Sequence, residues 1–175
     1  ARGSSDHAAA YLKYVVEIAL GIPVASVGAS VVSVYGAELK ARGALCVTIS
    51  QSGQSPDIVA LQEAAKRAGA LTLALVNAED SAVGRSADVV LPLMAGPERS
   101  VAATKSFIVA LVAAASLVAH WKADDGLLAS IADLPEKLQQ AAGADWPGVE
   151  ALVSGAESLY VLGRGPAFPI AAETA

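Results

Sequence analysis

Ser50, Ser52 and Ser55 fall within one six-residue stretch, interleaved with Gln51, Gly53 and Gln54 and followed at once by Pro56-Asp57. The run ahead of them, Ala44-Leu45-Cys46-Val47-Thr48-Ile49, is apolar, rich in β-branched residues and bounded by Gly43. Such a run reads as a buried strand. Pro56 suits the first position of a helix, with Ser55 as its N-cap. The pattern is therefore a strand, a hydroxyl-rich turn and a helix start. Backbone N–H groups and the positive end of a helix dipole meet there, and a phosphate-sized anion is the ligand they suit. Gly53 permits a backbone conformation that leaves N–H groups facing outward. The alternative is a plain polar turn with one capping serine. Ligands of open parallel sheets sit beyond the carboxyl ends of strands, where this turn stands, which favours the anion. The Gly-x-Gly-x-x-Gly dinucleotide pattern and the Gly-Lys-Ser/Thr nucleotide loop are both absent.

Two further segments join a loop to a helix start. Gly3-Ser4-Ser5 precedes an amphipathic stretch, and by itself reads as a simple cap. Glu98-Arg99-Ser100-Val101-Ala102-Ala103-Thr104-Lys105 leads into a long apolar stretch, with Ser100 as the expected cap. The two histidines are His7, on the first turn after Gly-Ser-Ser, and His120, at the end of the long helix. A structural role is the simpler reading for both, with His7 placed near enough to the first loop to face a site. The lone cysteine, Cys46, lies inside a strand and reads as a small buried hydrophobe. No His, Cys or carboxylate cluster has metal-ligand spacing, so neither a metal nor another cofactor is expected.

The elements that would carry these segments alternate. A helix is expected from Asp6 to about Leu20, capped by Ser4 or Ser5 and stopped by Gly21. Residues 23–27 read as a short strand, and residues 36–39 as one helical turn. Strand 44–49 and helix 56–68 follow, then strand 71–76, a short helix opened by Asp80 or Ser81, strand 88–91 and a helix from about 100 to 121. This rhythm predicts a parallel sheet covered on both faces, a layered α/β sandwich. After Trp121 the composition changes: a linker at 122–126, one helix over about 127–141, a shorter one after Pro147, and a strand at 157–162. Arg164-Gly165 echoes Arg2-Gly3, each ahead of an expected helix, which is a weak sign of duplication.

Composition narrows the partners. The 175 residues allow one ordinary domain, or one and part of another. With 5% aromatic residues the core must be built from Val, Leu, Ile and Ala. A formal net charge of −5 disfavours a nucleic acid or an acidic membrane as partner, since either needs clustered Lys and Arg. One cysteine forms no disulfide framework, and no signal-peptide pattern is seen, which together suggest the cytoplasm. The longest apolar run, residues 107–119, is too short to span a bilayer and reads as a buried helix. The apolar helices exceed what one sheet face should bury, which suggests a homodimer.

The order Gly-Ser-Ser, then Ser-Gln-Ser-Gly-Gln-Ser, then Ser-Val-Ala-Ala-Thr-Lys resembles the sugar isomerase (SIS) domain family. Within it, the chain looks like the isomerase half of glutamine–fructose-6-phosphate aminotransferase and stand-alone aminosugar-phosphate isomerases and deaminases. The resemblance implies a three-layer α/β sandwich with a parallel, flavodoxin-like sheet. It implies a first SIS domain over 1–121 lacking its N-terminal strand, a helical linker over 122–157, and the truncated start of a second SIS domain at 158–175. It also implies roles. Ser5, Ser50, Ser52 and Ser55, with the backbone at Gln51 and Gly53, would hold the phosphate of a sugar. Gly3 and Ser4 would lie against the sugar, and Val101 and Thr104 would line its chain. The family's catalytic carboxylate and ring-opening histidine are expected beyond Ala175; Glu173 stands about two helical turns too early to match and is not assigned. Arg2, Gln54 and Ala103 depart from the family pattern. No glutaminase domain is visible in the sequence. The activity implied is aldose–ketose isomerisation or deamination of a hexose or hexosamine 6-phosphate, with phosphosugar sensing as the alternative.

Overall fold

The β-branched run after Gly43 forms a strand, β1 (Leu45–Ser50), and Pro56 opens the helix behind it, α3 (Pro56–Arg67). The structure, a computed structural model, describes residues 1–99 and 103–175. Ahead of β1 lie α1 (Ser4–Leu20) and the single turn α2 (Ser30–Ser33). Behind α3 come β2 (Leu71–Val76), α4 (Ala82–Ser86), β3 (Val89–Pro92) and α5 (Thr104–Lys122). The remainder is helical: α6 (Asp125–Ala132), α7 (Leu134–Ala142), α8 (Val149–Ser154) and α9 (Ala167–Thr174).

The three strands lie parallel in the order β1-β2-β3, with Leu45 opposite Leu71 and Leu73 opposite Val89. Successive side chains point to opposite faces of a sheet, and the core divides accordingly. Ile49 and Leu75 pack with α1 (Ala8, Leu12, Val16) and α5 (Ala110, Ala114, Val118). Ala74 and Val76 pack on the other face with Ile58 of α3 and Val83 of α4. The result is the expected three-layer α/β sandwich. Alanines on α1 and α5 allow these helices to approach closely. By length and composition α5 is apolar enough to cross a membrane, being longer than the 107–119 run alone. It is used here as a core helix, with Ala114, Val118 and Ala119 fully buried.

Several elements differ from expectation. Ser4 and Ser5 are the first residues of α1 rather than its cap; Gly3 takes the cap position, and its carbonyl accepts from the Asp6 N–H at 2.8 Å. Residues 23–27 form no strand. Their backbone is held instead by side chains of α1: the Val24 N–H donates to Glu17 Oε1 (3.0 Å) and Lys13 Nζ donates to the Val24 carbonyl (3.0 Å). The helical turn expected at 36–39 forms earlier, as α2, and Gly36 ends it with a left-handed φ of 61°. The single helix expected over 127–141 is two, broken ahead of Pro135, whose ring suits a helix start and not an interior. Residues 157–162 form no strand and pair with none among the described residues, since a lone segment has nothing to stabilise it as one. Ser100, the expected cap of α5, lies outside the described residues.

Two ties brace the sheet, the first at the site's end. Gly53 has φ 61°, and a Cβ there would stand 2.0 Å from Ser81 Oγ. Its carbonyl accepts from the Val83 N–H at 2.9 Å, so the turn after β1 is bolted to the turn after β2. The second tie lies at the opposite end of the sheet. Asp88 Oδ2 accepts from both the N–H (2.9 Å) and the hydroxyl (2.7 Å) of buried Thr72, while Oδ1 pairs with Lys66 at 2.7 Å. The Lys66 ammonium, then the Thr72 hydroxyl and N–H, lower the Asp88 carboxyl from its ordinary 3.8 to about 2.

Two outcomes follow. A carboxyl depressed on folding contributes stability that is present above its unfolded pKa and is lost as pH falls through the folded one. Asp88→Asn should therefore lower Tm at pH 7 but progressively less between pH 4 and pH 2, as read by circular dichroism melts across that range. Gly53→Ala should cost about 1–2 kcal/mol for the left-handed backbone alone, with the Ser81 clash added. A Tm equal to wild type by scanning calorimetry would contradict that reading of the turn.

Candidate functional site

The first turn of α1, the turn after β1 and the ends of β3 and α5 converge at the carboxyl end of the sheet. An open cavity of about 250 Å³ lies among them. Ser4 and Ser5 line it from α1, Ile49 and Gln51 from β1 and its turn, and Leu93 from the chain after β3. Ala103, Ser106, Phe107 and Ala110 close it from α5. Much of that space opens directly to solvent, so the site is a shallow cleft and not an enclosed pocket.

The serine turn borders the cavity and is partly self-satisfied. The Gly53 N–H does not face outward as expected; it donates to Ser50 Oγ at 3.0 Å, and Ser50 is buried beneath the turn. The Gln54 N–H reaches Ser52 Oγ at 3.4 Å, near the limit of a useful bond. The N–H groups of Ser52, Ser55 and Asp57 make no hydrogen bond within the chain among the described residues. Ser55 holds the cap position of α3 without a side-chain capping bond. Ser52 is exposed and Ser55 half-buried. These hydroxyl and amide donors sit at the positive end of a three-turn helix, where a dianion gains most.

Electrostatics around the site are sparse. Arg2 Nη1 approaches Asp57 Oδ1 at 3.4 Å, joining the segment before Gly3 to the first turn of α3. An exposed pair of that length adds little stability, but it brings a cation to the gap between two helix starts. At α5 the opposite holds. Glu98 Oε1 accepts the Ser106 N–H at 2.6 Å, which lowers its carboxyl pKa. A side-chain carboxylate thus fills the seat that an anion could take at that helix. Burial pushes the Cys46 thiol up, which fits a packing role and not a nucleophile.

The expected site residues therefore divide. Ser4, Ser5 and Gln51 line the cavity, Gly3 caps α1 ahead of them, and Ser50, Ser52, Gly53 and Ser55 form the adjoining turn. Thr104 begins α5 on an exposed position, and Val101 lies outside the described residues. The sequence reading missed Ser106, Phe107 and Leu93. A buried serine one turn into an apolar helix was the available signal for Ser106. It also missed a contact of 2.7 Å between His7 Nδ1 and Glu173 Oε2, which ties α9 to α1. Nothing in a spacing of 166 residues reveals such a pair.

Comparison with known proteins follows the same lines. The SIS domain model matches residues 1–120. The glutamine–fructose-6-phosphate aminotransferase (isomerizing) of Methanothermobacter thermautotrophicus is 38% identical over 177 residues, covering 99% of this chain and 29% of that protein. That of Rhizobium meliloti (strain 1021) is 37% identical over 139 residues, covering 73% of this chain and 23% of its own length. The chain thus spans less than a third of these relatives. Among solved structures, a candidate phosphosugar isomerase from Silicibacter pomeroyi DSS-3 superposes with a TM-score of 0.95 at 48% identity, over 98% of this chain and 53% of that one. The C-terminal domain of the Francisella tularensis glucosamine–fructose-6-phosphate aminotransferase superposes with a TM-score of 0.79 at 27% identity, over 98% of this chain and 52% of that one. With residues 1–120 matched and the same fold at close identity, this chain belongs to the SIS domain family.

Proposed function

We propose that the chain binds the phosphate of a hexose or hexosamine 6-phosphate and belongs to an enzyme that isomerises or deaminates it. The observation that carries this reading is that Ser4 and Ser5 of α1 face Gln51 across one cleft, and that Gln51 opens the turn whose Ser52, Ser55 and Asp57 N–H groups have no partner among the described residues. Ser4 and Ser5 line the cleft, and the hydroxyls and amides of Ser52 and Ser55 adjoin it along the turn that Gln51 begins. A phosphate ester offers the acceptor oxygens that such a set lacks, and the sugar would extend into the open side. The aminotransferase relatives make an aminosugar phosphate reading the natural one.

Isomerisation would begin with ring opening, followed by proton transfer between C1 and C2 through a cis-enediol. Deamination would pass through an enolamine before ammonia leaves. The residues of this chain would anchor the phosphate and fix the sugar's orientation, a contribution made through position rather than proton transfer. No acid or base stands among the described lining residues of the cavity. That observation also favours a second reading, a module that senses a phosphosugar without turning it over.

The protein is further proposed to pair with a second copy of itself in a reducing, cytoplasmic setting. Ile18, Leu159, Tyr160 and Leu162 are each more than half exposed, apolar surface that a second copy would cover. Light scattering at micromolar concentration should give twice the chain mass, and a monomer mass would refute the pairing.

The activity is tested by incubating the full-length protein with glucosamine 6-phosphate and following fructose 6-phosphate and ammonia. Product is expected. Tight calorimetric binding without product would favour the sensor, and neither binding nor turnover across a panel of phosphosugars would overturn both readings. Ser52→Ala removes an exposed hydroxyl. It should raise KM or Kd about tenfold, the worth of one hydrogen bond to a charged group, while Tm stays unchanged.

A further inference from the structure

The hydrogen bond between the first and last helices has no part in holding a phosphate. Glu173 sits on the last turn of α9, and its Oε2 meets His7 Nδ1 at 2.7 Å. A carboxylate can only accept, so Nδ1 carries the proton. Glu173 Oε1 has no partner among the described residues. The two side chains are 35% and 26% exposed, within reach of a ligand yet held in place. The pair is not needed to dock the helix, because Pro169 and Ala171 are already buried against the rest of the chain.

Its position relative to the cavity follows from helix geometry. His7 lies three residues after Ser4 on the same helix, so the two side chains are neighbours on one face, roughly 5–6 Å apart at Cβ. Ser4 lines the cavity. Through His7, the Glu173 carboxylate is therefore held within about 10 Å of Ser4, beside the stretch of α1 that borders the cavity. A group held there would meet the part of a phosphosugar remote from its phosphate.

We propose that Glu173, oriented by His7, reads the sugar end of the bound phosphosugar and selects a positively charged substituent, the ammonium of an amino sugar, over a hydroxyl in its place. This rests on the phosphosugar reading above. The anchored Oε2 fixes the carboxylate plane, and Oε1 is left to accept from the ligand. An ammonium gains a charge-assisted bond there, stronger than the one a neutral hydroxyl makes. His7 is the positioning residue and Glu173 the selecting one.

The test uses calorimetry on the full-length protein with three probes: glucosamine 6-phosphate, glucose 6-phosphate and inorganic phosphate. Wild type should prefer the amino sugar. Glu173→Gln should weaken glucosamine 6-phosphate about tenfold, weaken glucose 6-phosphate less, and leave inorganic phosphate within twofold. His7→Ala should move the preference the same way. His7→Asn, whose amide can donate from near the place of Nδ1, should restore it. An unchanged amino-to-hydroxyl preference in Glu173→Gln would overturn the proposal while leaving the phosphate site standing. Equal weakening of all three probes in His7→Ala, with a lower Tm, would reduce the pair to a structural clamp and also overturn it. If none of the probes binds wild type, the phosphosugar reading fails and this selection fails with it.

Discussion

The hydrogen bond from the Val83 N–H to the Gly53 carbonyl holds the turn after β1 against the turn after β2. Its geometry requires that residue 53 carry no side chain, because Ser81 already occupies the space where a Cβ would go. Ser81 in turn caps α4, its hydroxyl accepting the Gly84 N–H at 3.2 Å. Beneath α4, buried Gln62 donates to the Val83 carbonyl at 2.8 Å and to Ser86 Oγ at 2.6 Å. The serine turn is thus fastened from below and from the side before any ligand arrives. A site pre-organised in this way spends little binding energy on ordering its own backbone.

The charge balance gives this constraint its importance. A protein with net charge −5 repels a dianion at long range, and no cluster of lysines lies beside the cavity to offset that. On the proposed reading, attraction comes from fixed dipoles close at hand: amide N–H groups at the starts of α1 and α3 and the hydroxyls of Ser4, Ser5, Ser52 and Ser55. Such donors act only over hydrogen-bond distances, so their placement decides whether binding occurs. At α5 the equivalent place is taken by Glu98, which leaves α1 and α3 as the two helix starts open to an anion. The Arg2 guanidinium beside Asp57 adds a cation whose main effect lies at the approach to the site.

Much of this was legible from local sequence. The run from Leu45 to Ser50 formed a strand because β-branched residues between glycine and serine leave few other options. Pro56 marked the start of α3 to the residue, and Ser81, expected with Asp80 as the opening of the next short helix, caps α4. Expectation failed where tertiary contacts overrule local preference. Residues 23–27 have strand-like composition, but Lys13 and Glu17 satisfy the backbone of Val24 before a neighbouring strand could. Gly53 was read as a device for turning its N–H outward. The N–H instead turns inward to Ser50, and the donors left over are those of its neighbours. The His7–Glu173 contact joins residues at opposite ends of the chain, and no pattern of period or spacing carries that information.

The central claim is that one anion seat lies where the serine turn meets α1. A crystal structure determined after soaking with inorganic phosphate at millimolar concentration tests it most directly. The account predicts a tetrahedral density within hydrogen-bond distance of the Ser52 and Ser55 amides and hydroxyls, with Ser5 on its other side. A corner that stays empty at full occupancy elsewhere, or a phosphate bound only at some other surface, would contradict it.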